Sequence, residues 1–209
     1  PLANPHAKTT EKLDDFMTDA VAWTIAAHEA RPGHELQFAA MVEQGTSLSR
    51  GLFAFNSTNV EGWALYCEAM MLPYMPEEGQ LFSLQLRLHR MGRAFLDPMV
   101  NLGRITPAEA KQFLMQEVRL SEPMAQQEVD RYAFTSPGQA TSYYYGYIKL
   151  RALRTQAEMA LGKQFDLQAF NDFVIAQGML PPQLLTDAVM TDFVAPRAEQ
   201  TKLAAATAK

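Results

Sequence analysis

Two histidines fall within seven residues, in the run His28-Glu29-Ala30-Arg31-Pro32-Gly33-His34. Paired imidazoles with a carboxylate between them are the groups that hold a zinc ion and take a proton from the water beside it. In the H-E-x-x-H arrangement the two imidazoles are four residues apart and share one helix face. Here the spacing is six, H-E-x-x-P-G-H. At about 100° per residue, six residues turn through about 600° and leave the rings about 120° apart on an unbroken helix. Pro32 removes a backbone donor and Gly33 admits unusual dihedrals. The helix is therefore expected to break over residues 31–34 and swing His34 back towards His28. The plainer alternative is a core His28, an ordinary helix-ending turn and a surface His34.

A zinc site that acts on substrate needs a third protein ligand and one open position. Glu61 lies 27 residues after His34, in Glu61-Gly62-Trp63-Ala64-Leu65-Tyr66-Cys67-Glu68, far enough for a helix–loop–helix return. Glu61 and Glu68 are seven apart and so lie on nearly the same helix face. Acids facing inward from an apolar stretch need a positive partner. That partner is a metal, an orienting bond to a ligand imidazole, or a salt bridge to Arg31, Arg87 or Arg93. Further on, Pro137-Gly138-Gln139-Ala140-Thr141-Ser142 leads into Tyr143, Tyr144, Tyr145 and Tyr147, four tyrosines in five residues. They cannot all face a core. At least one phenol is expected to reach a cavity or solvent, where it can donate to a developing oxyanion; an aromatic stripe packing the bundle is the alternative. Lys149 and Arg154 follow, either to meet a substrate carboxylate or as plain solvated charges.

The elements that must position these groups read as helices. Asp14 to Met41 carries a periodic apolar face (Phe16, Ala20, Val21, Trp23, Ile25) interrupted at Pro32-Gly33. Helices are expected over Val60–Leu72 and over Glu77–Leu102, the second with Leu81, Leu84, Leu88, Met91 and Phe95 at spacings of three and four. Pro98 should kink or end it. Thr106, Pro107 and Glu109 form a start signal with capping-box spacing. Ser121–Tyr132, Gln139–Leu161 closed by Gly162, Leu167–Gln177 capped by Asp166 and closed by Gly178, and Pro182–Val194 complete the set. The Ala-rich tail beyond is expected to fray. Gly51–Phe55 (GLFAF) is the only short strand candidate. The expectation is a single all-α, multi-helix domain over 1–209.

Composition narrows the function classes. Of 209 residues, 48% are hydrophobic and 20% charged, which excludes disorder and collagen-like repeats. Lys plus Arg number 18 against 23 Asp plus Glu, a net charge of −5, which argues against a nucleic-acid binder. The single cysteine, Cys67, excludes an internal disulfide framework. No run is long and apolar enough for a membrane span. The N-terminus lacks both an initiator Met and a signal-peptide pattern, which suggests a processed product or a piece of something longer.

Four stretches together resemble the bacterial domain of unknown function 885 family, a group read as zincin-like metallopeptidases. They are HEARPGHELQ (28–37), EGWALYCE (61–68), EVDRY to PGQATSYYYG (128–146) and the stretch from KLRALRT to LPPQLL (149–185). They occur in the family's order and cover most of the chain. The resemblance implies a helical fold with a broken metal-site helix. It implies zinc held by His28, His34 and Glu61, Glu29 as general base, and peptide substrates. Tyr143 falls at the tyrosine of the family's P-G-Q-A-x-x-Y-x-x-G pattern and is the expected oxyanion donor. Gln139, Lys149 and Arg154 are the expected substrate-binding residues. Family members are usually longer, so the chain is expected to be the C-terminal, site-bearing part, with an N-terminal part as its natural partner. A periplasmic or secreted location is compatible with the family. Two positions depart from its pattern: Glu35 stands where a second His often follows the motif, and Asn101 stands where Asp97-x-x-x-His is usual. The competing expectation is a non-catalytic helical binding domain with a structural or vestigial metal site, or a fragment inactive without its N-terminal part.

Overall fold

The computed structural model describes residues 18–43 and 46–207. Among these every regular element is helical, so the all-α expectation holds and GLFAF is not a strand. Leu48–Phe53 forms a short helix instead, α3, capped by the Ser47 side chain. Before it come α1 (Asp19–Glu29) and α2 (His34–Glu43). Thr18 caps α1, accepting from the Val21 N–H; the expected start at residues 14–17, with Phe16, lies outside the described residues. After α3 come α4 (Ser57–Met71) and α5 (Glu77–Asn101). The expected break at Pro98 does not occur there, and α5 ends three residues later. Pro98 has no N–H to give the Ala94 carbonyl one turn back, and the Thr141 hydroxyl donates to that carbonyl instead at 3.2 Å.

α6 (Pro107–Gln116) begins with both halves of the Thr106–Glu109 capping box in place. α7 (Glu122–Asp130) runs into a π-helical turn at Arg131–Thr135. α8 (Thr141–Leu161) ends at Gly162, whose φ of 55° suits glycine. α9 (Leu167–Ala176), α10 (Pro182–Ala188), a π-helical segment at Val189–Val194 and α11 (Ala195–Thr207) close the fold. The Ala-rich tail beyond Val194 therefore does not fray there but continues as helix to Thr207.

The main core joins α4, α8, α9 and the Val189–Val194 segment through Trp63, Tyr66, Leu153, Phe170 and Phe193. A smaller core gathers Leu96, Leu114, Val118 and Tyr132 between α5, α6 and α7. α4 and α8 cross with glycine against glycine. A Cβ on Gly62 would sit 2.6 Å from the Gly146 backbone, and one on Gly146 would sit 2.0 Å from the Thr58 carbonyl oxygen. This close crossing brings the start of α4, with Glu61, against the start of α8, with Tyr143.

α5 is turned the opposite way from its apolar periodicity. Leu81, Leu84, Leu88, Met91 and Phe95 are exposed, whereas His89, Arg90, Arg93 and Asp97 are buried. The charged face goes inward because it meets acids there, which lowers the cost of burying it.

Candidate metal centre

The chain breaks where H-E-x-x-P-G-H required it to break. α1 stops at Glu29, a turn occupies residues 30–33, and α2 restarts at His34. Gly33 makes the tight return feasible: a Cβ there would lie 1.9 Å from the His28 carbonyl oxygen. The turn is tied to α4 through the Pro32 carbonyl, which accepts from Trp63 Nε1 at 3.0 Å and from Cys67 Sγ at 3.2 Å. The two imidazoles end up edge to face, with ring centroids 4.8 Å apart.

Glu61 comes to both rings from α4. Its Oε2 lies 3.5 Å from His28 Nε2 and 3.6 Å from His34 Nε2. One donor atom from each of the three residues lies within 4.8 Å of the other two. Ligand atoms about 2.0–2.1 Å from a tetrahedral zinc stand about 3.3–3.4 Å apart, so two of the three edges are close to zinc dimensions. Glu61 Oε2 is buried with no hydrogen-bond partner, although it is a carboxylate oxygen. A buried acceptor left unbonded is costly, and a cation between the three groups removes that cost. The donor set therefore fits a divalent metal, and two imidazoles with one carboxylate is a zinc set.

The surroundings tune these three groups. Glu68 is fully buried, and its Oε1 accepts from His28 Nδ1 at 2.7 Å and from Arg90 at 3.0 Å. That bond leaves Nε2 of His28 free to face Glu61, the carboxylate–histidine arrangement that orients a metal ligand. His34 has no such support, and its Nδ1 is buried and unbonded. Burial disfavours the charged His28 ring, but the Glu61 and Glu68 carboxylates outweigh it and its pKa is raised. Burial works likewise against the Glu61 carboxylate, yet His28, His34 and the Tyr143 phenol, all directed at it, hold its pKa down to about 2.

Glu29 is exposed beside the triad, its Oε1 4.0 Å from His28 Nε2. Tyr143 stacks along His28 at 6.3 Å between centroids, and its hydroxyl accepts from Arg131 at 3.3 Å. The guanidinium of Arg93 lies over the same ring. Gln139 donates to Ser57 Oγ at 3.3 Å and to Glu61 Oε1 at 3.5 Å, and accepts from Arg131. The loop carrying Gln139 is clamped by Asp97, which accepts from the Gly138 N–H at 2.8 Å and the Ala140 N–H at 2.9 Å. Asn101 belongs to this clamp, donating to Asp97 and to the Tyr132 carbonyl. Glu35 pairs with Arg31 at the surface.

Lys149 and Arg154 are not brought to the triad. Lys149 lies over the Tyr145 ring, and Arg154 pairs with Glu158 at 2.7 Å, about 16 Å along α8 from Tyr143 at 1.5 Å per residue. Sequence reasoning missed Arg90 and Arg131, and it offered Arg93 as a partner for Glu61 or Glu68 rather than for Glu128. Arg93 pairs with Glu128, which also bonds Tyr132 at 3.0 Å and lies 3.3 Å from His89. The available signal was four polar residues, His89, Arg90, Arg93 and Asp97, on one face of a helix whose other face is apolar.

Fold and site together define an all-α domain with a two-histidine, one-carboxylate candidate metal centre at a helix break. A family model described as "Bacterial protein of unknown function (DUF885)" matches residues 5–189, and the chain belongs to that bacterial family. No curated protein matches the chain. Among solved structures, it is similar to one described as a "putative lipoprotein" from Colwellia psychrerythraea. The two are 33% identical with a TM-score of 0.77, over 82% of this chain and 30% of that one. It is also similar to a "putative lipoprotein of unknown function" from Shewanella oneidensis, 28% identical with a TM-score of 0.74, over 89% of this chain and 37% of the other. The chain thus spans about a third of the length of these two relatives.

Proposed function

We propose that the chain is the site-bearing part of a zinc-dependent peptidase, with His28, His34 and Glu61 as metal ligands. The observation that carries this reading is the buried, unbonded Glu61 Oε2 facing two imidazole Nε2 atoms at 3.5 and 3.6 Å. A zinc ion held there supplies a Lewis acid that polarises a carbonyl and makes water nucleophilic near neutral pH. Glu68 keeps the His28 proton on Nδ1, so that Nε2 presents its lone pair. Glu29, exposed at the edge of the site, accepts a proton from the attacking water and delivers it to the leaving amine. Tyr143, held by Arg131, donates its phenolic proton in a hydrogen bond to the carbonyl oxygen as that oxygen becomes anionic. Gln139 reaches the same space and is the favoured substrate-binding side chain of the three expected. The lipoprotein descriptions of both solved relatives support a location outside the cytoplasm.

Zinc content and peptide cleavage are measured together on the parent and on Glu29→Gln. The variant is expected to retain stoichiometric zinc and to lose about 10²- to 10⁴-fold in turnover of a mixed peptide library. Cleavage by the variant at the parent's rate, or no cleavage by the zinc-loaded parent, overturns the reading.

A further inference from the structure

Away from the metal centre, α4, α5 and α8 enclose a surface cavity of about 240 Å³. Three arginines line it: Arg87 from α5, and Arg151 and Arg154 from α8. Among the described residues its one acid is Glu158, whose carboxylate is already bonded to Arg154 Nε at 2.7 Å. Three guanidiniums against one carboxylate leave a local charge of about +2, in a chain whose net charge is −5. Like charges gathered this way repel one another, and among the described residues no other carboxylate lines the cavity.

The hydrogen bonding is incomplete in the same sense. Arg87 Nη2 is buried with no hydrogen-bond partner. Arg87 and Arg151 lie over the Tyr147 ring, 5.5 and 5.8 Å from its centroid. The Tyr147 hydroxyl accepts from Arg151 at 3.2 Å, which leaves its own proton free to donate. Tyr66 differs: its hydroxyl accepts from Arg154 at 3.3 Å and donates to Asn171 at 3.0 Å. The cavity therefore offers donors in excess of acceptors.

We propose that this cavity is an anion site for a phosphate group, bound by Arg87, Arg151, Arg154 and the Tyr147 hydroxyl. A phosphate dianion matches the charge of about +2, and guanidinium forks suit its oxygens. A single water occupies about 30 Å³, so a space of about 240 Å³ holds a phosphoryl group together with part of whatever carries it. The site does not depend on the metal centre or on the peptidase reading.

The test titrates EDTA-treated, zinc-free chain with inorganic phosphate in a calorimeter, against chloride at matched ionic strength. The expected result is one saturable site per chain, weakened at least tenfold in Arg87→Gln and in Arg151→Gln. Arg104→Gln, at an exposed position after α5, is expected to bind as the parent does. Arg151 is exposed, so its variant keeps the test valid if Arg87→Gln fails to fold. No saturable heat in the parent, undiminished binding in Arg151→Gln, or equal loss in Arg104→Gln would overturn the proposal.

Discussion

Glu68 does two jobs with one oxygen: it orients His28 and it neutralises Arg90. A ligand imidazole whose far nitrogen is fixed in this way keeps its tautomer and its aim, and losing the support typically costs ten- to a hundredfold in metal affinity. Glu68→Gln is expected to weaken zinc binding by about that factor, measured by competition with a chromophoric chelator on folded protein. Unchanged affinity would contradict the orienting role. The approach of His34 to His28 was legible in the sequence, because two imidazoles six residues apart can meet only across a break and Pro32-Gly33 supplies one. Arg90 was not legible. Sequence alone sends a charged helix residue to solvent, and the named alternatives for Glu68 were Arg31, Arg87 and Arg93. Only the depth at which α5 packs decides between them. Tyr143 was singled out from its neighbours by family pattern; what sets it apart physically is its contact with His28 and Arg131.

The turn at residues 30–33 decides whether there is a site. Its tightness rests on Gly33, since an added Cβ would collide with the His28 backbone. Gly33→Ala is expected to force the turn open, displace His34 and abolish stoichiometric zinc binding, while circular dichroism still reports a helical protein. Full zinc occupancy in that variant would show that the turn has slack that the contact distance denies. Helix starts were readable at the Thr106 and Asp166 caps, but not at Ser47 or Asn56, whose caps precede α3 and α4. Facing was less readable. The period of α5 identifies a helix and two contrasting faces, but the rule that apolar goes inward fails here, because buried acids on α4 and α7 reward the charged face. The short helix α3 overlaps the strand candidate because a run of five largely apolar residues is too short to carry a helical period.

Two charge networks fasten α5 to the rest of the molecule: Glu68 with Arg90, and Glu128 with Arg93. Burial works against the charged form of Glu128, but the His89 and Arg93 side chains beside it outweigh that and lower its pKa well below the ordinary value of 4.5. A depressed carboxylate pKa contributes stability that is fully present above the ordinary value and drains away as pH falls below it. Melting temperature should therefore fall on acidification below about pH 4.5 in the parent. Glu128→Gln should melt lower at neutral pH, since breaking a buried pair costs about 3–5 kcal/mol, and should lose less on acidification. Identical pH profiles would remove Glu128 from the account. Through the Gly62–Gly146 crossing and the Gly33 turn the whole fold gathers three side chains, and we propose that they hold one cation. Diffraction from zinc-soaked crystals, recorded on both sides of the zinc absorption edge, tests it most directly. The expected map has one strong anomalous peak about 2.0–2.2 Å from His28 Nε2, His34 Nε2 and a Glu61 oxygen. A map with no peak there, or with its strongest peak on other side chains, would contradict the account.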